Sequence, residues 1–111
     1  MNTPQIDLAT ALARLEGDPD LLRELIAMFI ADGEGYLDDI HAALQRGDRP
    51  ALQRAAHTLK GVLATFCAEP AGELAARLEH AAREQSPDQL AILCSALDQA
   101  VRRLRVDLQS V

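Results

Sequence analysis

Four prolines divide this chain into segments of helical periodicity, and they constrain its fold more than any other feature. Proline is tolerated in the first turn of a helix but breaks a helix interior. After each of these prolines, apolar residues recur every three to four positions, as in an amphipathic helix. The pattern predicts four helices, whose first turns contain Pro19, Pro50, Pro70 and Pro87, and a shorter helix ahead of them from Ile6 to about Leu15.

The longest of the four segments runs from Pro19 to about Arg46. Its apolar positions keep helical phase across Gly33 and Gly35, which predicts one long helix with a bend or a frayed turn near the glycines. Each glycine costs up to about 1 kcal/mol relative to alanine in a helix interior. The alternative is two helices broken at Gly33, and the continuous phase favours a single helix.

Short breaks separate the remaining segments. Gly47 and Asp48 are suited to end the second helix and to cap the third, which extends to about Cys67. Glu69 begins the fourth helix, and a capping box that starts at Ser86 opens the fifth. Because short connections join antiparallel neighbours, we expect an all-α fold: an up-down antiparallel four-helix bundle with a short additional N-terminal helix.

Composition agrees with one helical domain over residues 1–111. The chain is 49% hydrophobic but only 3% aromatic, so its core must consist of leucine, alanine, isoleucine and valine. A net charge of -6 argues against binding to nucleic acid or to anionic membranes, since both require a basic surface. Cys67 and Cys94 form no metal or redox motif, so we expect two free, mostly buried thiols and no metal site built on them.

No apolar run approaches the roughly 20 residues of a membrane span. The segment Met1–Gln5 lacks the basic and apolar regions of a signal peptide. We therefore predict a cytoplasmic protein.

The third helix contains the residues that suggest a chemical function. On a helical wheel its inward face carries Leu52, Ala55, Leu59, Val62, Leu63 and Phe66. The outward face carries His57, Lys60, Gly61 and Ala64, with Gln53 and Arg54 one turn before the histidine. Histidine is therefore displayed away from the core, with a cation one turn later and small residues beside it.

Each of these outward residues suits chemistry on a phosphoryl group. An exposed imidazole offers a neutral, nucleophilic nitrogen near neutral pH. Lys60, the only lysine among 11 basic residues, lies one turn from His57 and can neutralise phosphoryl charge. Gly61 removes side-chain bulk, so that another protein can approach the helix.

The stretch H-T-L-K-G from His57, followed by V-L-A-T-F-C-A, resembles the H-x-L-K-G-S-A-x-x-L-G-A motif of histidine-containing phosphotransfer (HPt) domains. The segment from Ala11 to Asp18 and the pair Leu78-Glu79 also resemble this family. Two positions depart from it: Val62 stands where a small residue is usual, and Cys67 stands where glycine is usual.

This resemblance implies a phosphorelay intermediate. His57 would accept a phosphoryl group from the aspartyl phosphate of a response-regulator receiver domain and pass it to another receiver. Lys60 would stabilise the phosphoryl charge, Gly61 would give the partner clearance, and the partner-binding surface would include Gln53, Arg54 and Ala64. We expect no cofactor on this chain, Mg²⁺ on the receiver, and no autokinase activity, since a glycine-rich phosphate loop is absent from the sequence.

The expected partners are receiver domains and a hybrid sensor histidine kinase, with the chain itself a monomer. A free-standing protein and a domain of such a kinase both fit the sequence.

Two other functions compete with phosphotransfer. One is a non-catalytic helical adaptor that binds a receiver or a sensor kinase. The other is a metal-binding bundle, for which Asp38 and His41 have ligand-like spacing on one helix. A di-metal bundle site needs two Glu-x-x-His motifs and further carboxylates, so this spacing is weak support. His80 has no partner ligand in the sequence and is expected at the surface.

Overall fold

The computed structural model describes residues 7–110, which form five helices and no strand. Ile6, the predicted start of the first helix, and the segment Met1–Gln5 lie outside the described residues. The helices are α1 (Leu8–Arg14), α2 (Pro19–Arg46), α3 (Arg49–Thr65), α4 (Glu69–Ala81) and α5 (Pro87–Gln109).

Helices α2 to α5 form a closed four-helix bundle. Each packs against its neighbour in the chain, and α5 returns to pack against α2, while the short α1 packs against α2. The prediction of an all-α, up-down bundle with an additional N-terminal helix is therefore confirmed. Between residues 7 and 110, no helix is both long and apolar enough to cross a membrane.

Side-chain caps set most of the helix starts. The carboxylate of Asp18 accepts hydrogen bonds from the backbone N–H groups of Asp20 and Leu21 at 3.1 Å. Asp48 and Ser86 cap α3 and α5 in the same way. These bonds satisfy N–H groups that have no partner within the helix, and each proline contributes a fixed φ to the first turn.

The long helix α2 is continuous through Gly33, and the alternative of two helices is excluded. A Cβ atom at Gly33 would stand 2.8 Å from Cδ of Arg105 on α5. Arg105 lies across α2 at this point, donating hydrogen bonds from Nη2 to the carbonyl of Ile30 at 2.8 Å and from Nη1 to Glu34 at 3.0 Å. Gly33 therefore makes room for an interhelical contact and does not break the helix.

The core is apolar throughout the described residues, where no polar or charged side chain is buried. The predicted inward positions of the third helix are confirmed: Leu52, Leu59, Leu63 and Phe66 are buried, and Ala55 and Val62 are half-buried and pack against the core. Ala56, which was not among them, is also buried. The two cysteines are free, with Cys94 buried and Cys67 half-buried.

Helix α3 ends at Thr65, two residues before the predicted end at Cys67. Cys67 has a φ of 50°, in the left-handed region, and the next N–H, that of Ala68, bonds to the carbonyl of Leu63 at 3.3 Å. This is the hydrogen-bonding pattern of a helix terminus in which glycine is the preferred left-handed residue. The departure from the HPt motif at this position therefore places a side chain where the backbone favours glycine.

We expect Cys67→Gly to be more stable than Cys67→Ala by about 1 kcal/mol. Both substitutions remove the sulfur and its contacts, so their difference isolates the cost of a Cβ atom at positive φ. Urea unfolding of the two variants measures it. Equal unfolding free energies for the two would contradict this account of the turn.

Candidate functional site

The predicted outward face of α3 lies beside α4 on the surface of the bundle. His57 is exposed, with 66% of its side chain accessible, while Leu59 on the opposite face is completely buried. Helices α3 and α4 are joined by a tight turn that ends at Ala68, so they run antiparallel. This arrangement brings α4 side chains alongside the histidine.

Glu79 of α4 contacts the histidine ring. Its Oε2 atom lies 2.7 Å from Nδ1 of His57. An ionised carboxylate can only accept a hydrogen bond, so we assign the ring proton to Nδ1. In the neutral ring the lone pair then belongs to Nε2, the nitrogen farther from the backbone. The arrangement provides a nucleophilic atom on an exposed side chain, with its tautomer set by a neighbour.

The same carboxylate binds Lys60. Glu79 Oε1 lies 2.7 Å from Nζ of Lys60, and 20% of the glutamate side chain is exposed against 39% of the lysine. The hydrogen bond from the Lys60 ammonium lowers the pKa of Glu79, an effect that burial opposes and that His57 reinforces. Glu79 is therefore ionised at neutral pH and joins the histidine and the lysine into one cluster.

The other predicted site residues lie around this cluster. Gly61 and Ala64 are exposed, and a Cβ atom at Gly61 would meet nothing within 4 Å. Gln53 is half-buried. When its amide oxygen faces Arg83, this oxygen accepts hydrogen bonds from Arg83 Nε at 3.1 Å and from Nη2 at 3.3 Å. Arg54 is exposed on the outer side of α3.

Sequence reasoning noticed Glu79 only as part of a family resemblance and assigned it no role. A signal was present in the chain, because residues at similar distances from the turn of a helical hairpin lie side by side when its helices run antiparallel. His57 and Glu79 stand at equal distances along the chain from Ala68, and so do Gln53 and Arg83. That register becomes useful only once the position of the turn is known.

Comparison with known proteins identifies the family. The family model described as "Hpt domain" matches residues 24–107. The chain belongs to the Hpt family. No curated protein matches this Hpt domain.

Two solved structures resemble this Hpt domain closely. Histidine-containing phosphotransfer protein B (HptB) from Pseudomonas aeruginosa PAO1 has a TM-score of 0.87 and 27% identity, with 98% of this chain and 95% of HptB covered. The HPT domain of an Hpt sensor hybrid histidine kinase from Shewanella has a TM-score of 0.79 and 18% identity, with 96% of this chain and 92% of that one covered. The second likeness shows the fold alone.

Family membership establishes the class of function: this Hpt domain has a histidine phosphotransfer role in a phosphorelay. The Hpt family works with receiver domains and hybrid kinases, the class of partner expected from the sequence.

The other two histidines lie outside the cluster. His41 on α2 pairs through Nε2 with Asp98 of α5 at 2.7 Å, so its carboxylate partner is not Asp38. His80 is exposed, as predicted. Within residues 7–110, no group of three or more histidine, cysteine, aspartate or glutamate side chains is arranged to hold a metal ion.

Glu79 makes the stability of this Hpt domain depend on pH. Because its pKa is lowered in the folded state, Glu79 contributes stability that is fully present above its ordinary value of 4.5 and is lost as pH falls through the lowered value. We expect wild type to be more stable than Glu79→Gln at pH 6, and the difference to shrink as pH falls to about 3. Urea unfolding of both proteins across this range measures it, and a difference that grows toward low pH would contradict it.

Proposed function

We propose that this Hpt domain accepts a phosphoryl group on Nε2 of His57 from the aspartyl phosphate of one receiver domain and transfers it to the aspartate of another. One observation carries the proposal. Glu79 engages Nδ1 of an exposed histidine, so the remaining nitrogen is a free nucleophile beside a cation. No other histidine among the described residues combines this exposure with a neighbouring lysine.

In the first step, the Nε2 lone pair attacks phosphorus. The bond from phosphorus to the aspartate oxygen breaks, and its electron pair returns to the receiver carboxylate. The imidazole ring becomes positively charged while the Nδ1 proton stays in place. The Glu79 carboxylate, 2.7 Å from Nδ1, stabilises that positive charge as it develops. Transfer to the second receiver is the same step in reverse, and Mg²⁺ bound by the receiver would balance charge on the phosphoryl oxygens.

The surroundings of His57 support docking of an acidic partner site. The chain has a net charge of -6, yet residues 49–68 contain no aspartate or glutamate. Arg54 and Lys60 lie in this stretch, together with the histidine. A receiver that presents a phosphorylated aspartate meets a helix whose own side chains carry no negative charge, which favours encounter and correct orientation. Arg54 is assigned a partner contact on this basis, and Gln53 and Ala64 are assigned contacts because they lie on the same helix within two turns of His57.

Gly61 is part of the same proposal. A glycine in a helix interior costs up to about 1 kcal/mol relative to alanine. The packing of residues 7–110 does not require this glycine, because the space that its Cβ atom would occupy is open to 4 Å. Clearance for an approaching receiver backbone accounts for it.

Incubation with phosphorylated receiver domains and Mg²⁺ tests the proposal. We expect an acid-labile label on the wild-type protein and none on His57→Gln. Failure of every receiver from the same genome to label the wild type would overturn it. If His57→Gln retained partner binding and pathway output, a non-catalytic adaptor would replace the proposal. A monomeric state and a cytoplasmic location stay predictions of the sequence.

A further inference from the structure

Glu79 has two partners that a phosphoryl group on His57 would affect differently. Its Oε2 atom holds Nδ1 of His57, and its Oε1 atom holds Nζ of Lys60, each at 2.7 Å. A phosphoryl group on Nε2 leaves the Nδ1 bond intact. It also adds a second anionic group within the range of Lys60, which stands one helical turn from His57 on the same face.

Lys60 has a single ammonium group on a flexible side chain, and in the structure this group already forms an ion pair with Glu79, whose side chain is 20% exposed. An ammonium group is a compact point charge that reorients easily. To bind the phosphoryl oxygens closely, Lys60 must weaken or give up the contact with Glu79.

We propose that Glu79 is a positioning residue that competes with the phosphoryl group of phosphorylated His57 for Lys60, and so shortens the lifetime of the phosphohistidine. The inference rests on the proposed assignment of His57 as the phosphoacceptor. It gives the glutamate a second effect besides holding the ring. The carboxylate keeps the phosphoryl group less firmly bound, which suits a carrier that must pass the group on.

Glu79→Gln separates the two effects. The amide oxygen can still accept the hydrogen bond from Nδ1, but the negative charge that holds Lys60 is gone. Released from Glu79, Lys60 would stabilise the phosphoryl group more fully. An ion pair of this exposure is worth up to about 1 kcal/mol, so we expect the half-life of the phosphohistidine to lengthen about threefold to fivefold.

The measurement needs no receiver. Phosphoramidate transfers its phosphoryl group to histidine: the Nε2–P bond forms as the P–N bond of the reagent breaks and ammonia leaves. After removal of the reagent, water attacks phosphorus, the Nε2–P bond breaks with its electron pair returning to Nε2, and inorganic phosphate is released. ³¹P NMR follows this loss, with His57→Gln identifying the resonance that belongs to His57.

A double-mutant cycle decides the outcome. We expect Glu79→Gln to lengthen the half-life of the phosphohistidine when Lys60 is present. In a Lys60→Met background, the factor by which Glu79→Gln lengthens the half-life should be smaller by at least about threefold, since coupled residues give non-additive effects. Asp98→Asn, which makes the same chemical change beside His41, serves as the matched control and should leave the half-life unchanged.

Equal lengthening in both backgrounds, or a shorter half-life in Glu79→Gln, would overturn the competition for Lys60. Neither result would contradict the proposed function. The proposed function is contradicted instead if receivers label His57→Gln or cannot label the wild type. Circular dichroism of each variant confirms that the bundle is folded, so a change in lifetime is not a loss of structure.

Discussion

Replacing Gly61 by leucine is expected to slow phosphoryl transfer from a receiver about a hundredfold or more, because small displacements of reacting groups cost rates of this order. The side chain would project from the exposed face of α3, one turn beyond His57, into the space that a partner must enter. Among the described residues, no atom lies within 4 Å of the position that its Cβ atom would take. Transfer kinetics with a phosphorylated receiver measure the effect.

Two controls separate docking from folding and from chemistry. Gly61→Ala adds a single carbon in open space, so it should stabilise the domain by up to about 1 kcal/mol while retaining most of the transfer rate. Phosphoramidate labelling of Gly61→Leu should proceed normally, since a small donor needs no docking surface. Normal transfer from receivers to the leucine variant would remove the steric explanation for this glycine.

Leu59→Ala is expected to have the largest effect on stability, about 2–5 kcal/mol. Leu59 lies between His57 and Lys60 in sequence but points into the core, where it is fully buried. Its truncation leaves a cavity beneath the helix that displays the site. Since domains of this size have only about 5–15 kcal/mol of stability, the midpoint of urea unfolding should fall markedly.

Ile92→Ala provides a matched comparison, because this aliphatic residue on α5 is 63% exposed. Surface substitutions of this kind usually change stability by less than about 0.5 kcal/mol. A loss for Leu59→Ala as small as that for Ile92→Ala would contradict the assignment of Leu59 to the core.

Local signals were enough to predict the helices. Asp18, Asp48 and Ser86 cap helices where the sequence suggested, because capping depends on residues only two or three positions apart. The periodicity of α3 likewise predicted which face would display His57. The periodicity did not single out Ala56, which is also completely buried once the bundle is assembled.

Gly33 and Cys67 are two positions whose structural role could not be predicted from neighbouring residues in the sequence. Gly33 read as a weak point in a helix, but the structure shows the side chain of Arg105 lying against it, from a residue far along the chain. Cys67 was recognised as a departure from the HPt motif, and its meaning became clear only with the left-handed backbone at that turn. In both cases the cause is a conformation or a contact that side-chain periodicity does not encode.

The sequence by itself determined the helical bundle and the exposed strip that carries His57, Lys60 and Gly61, because helical periodicity fixes which side chains share a face. Only the tertiary structure decided the chemistry of that strip. Glu79 reaches His57 and Lys60 from another helix, and the register between α3 and α4 depends on where the chain turns and how the two helices pack. A shared carboxylate between helices is a long-range contact, so it appears only when the bundle is assembled.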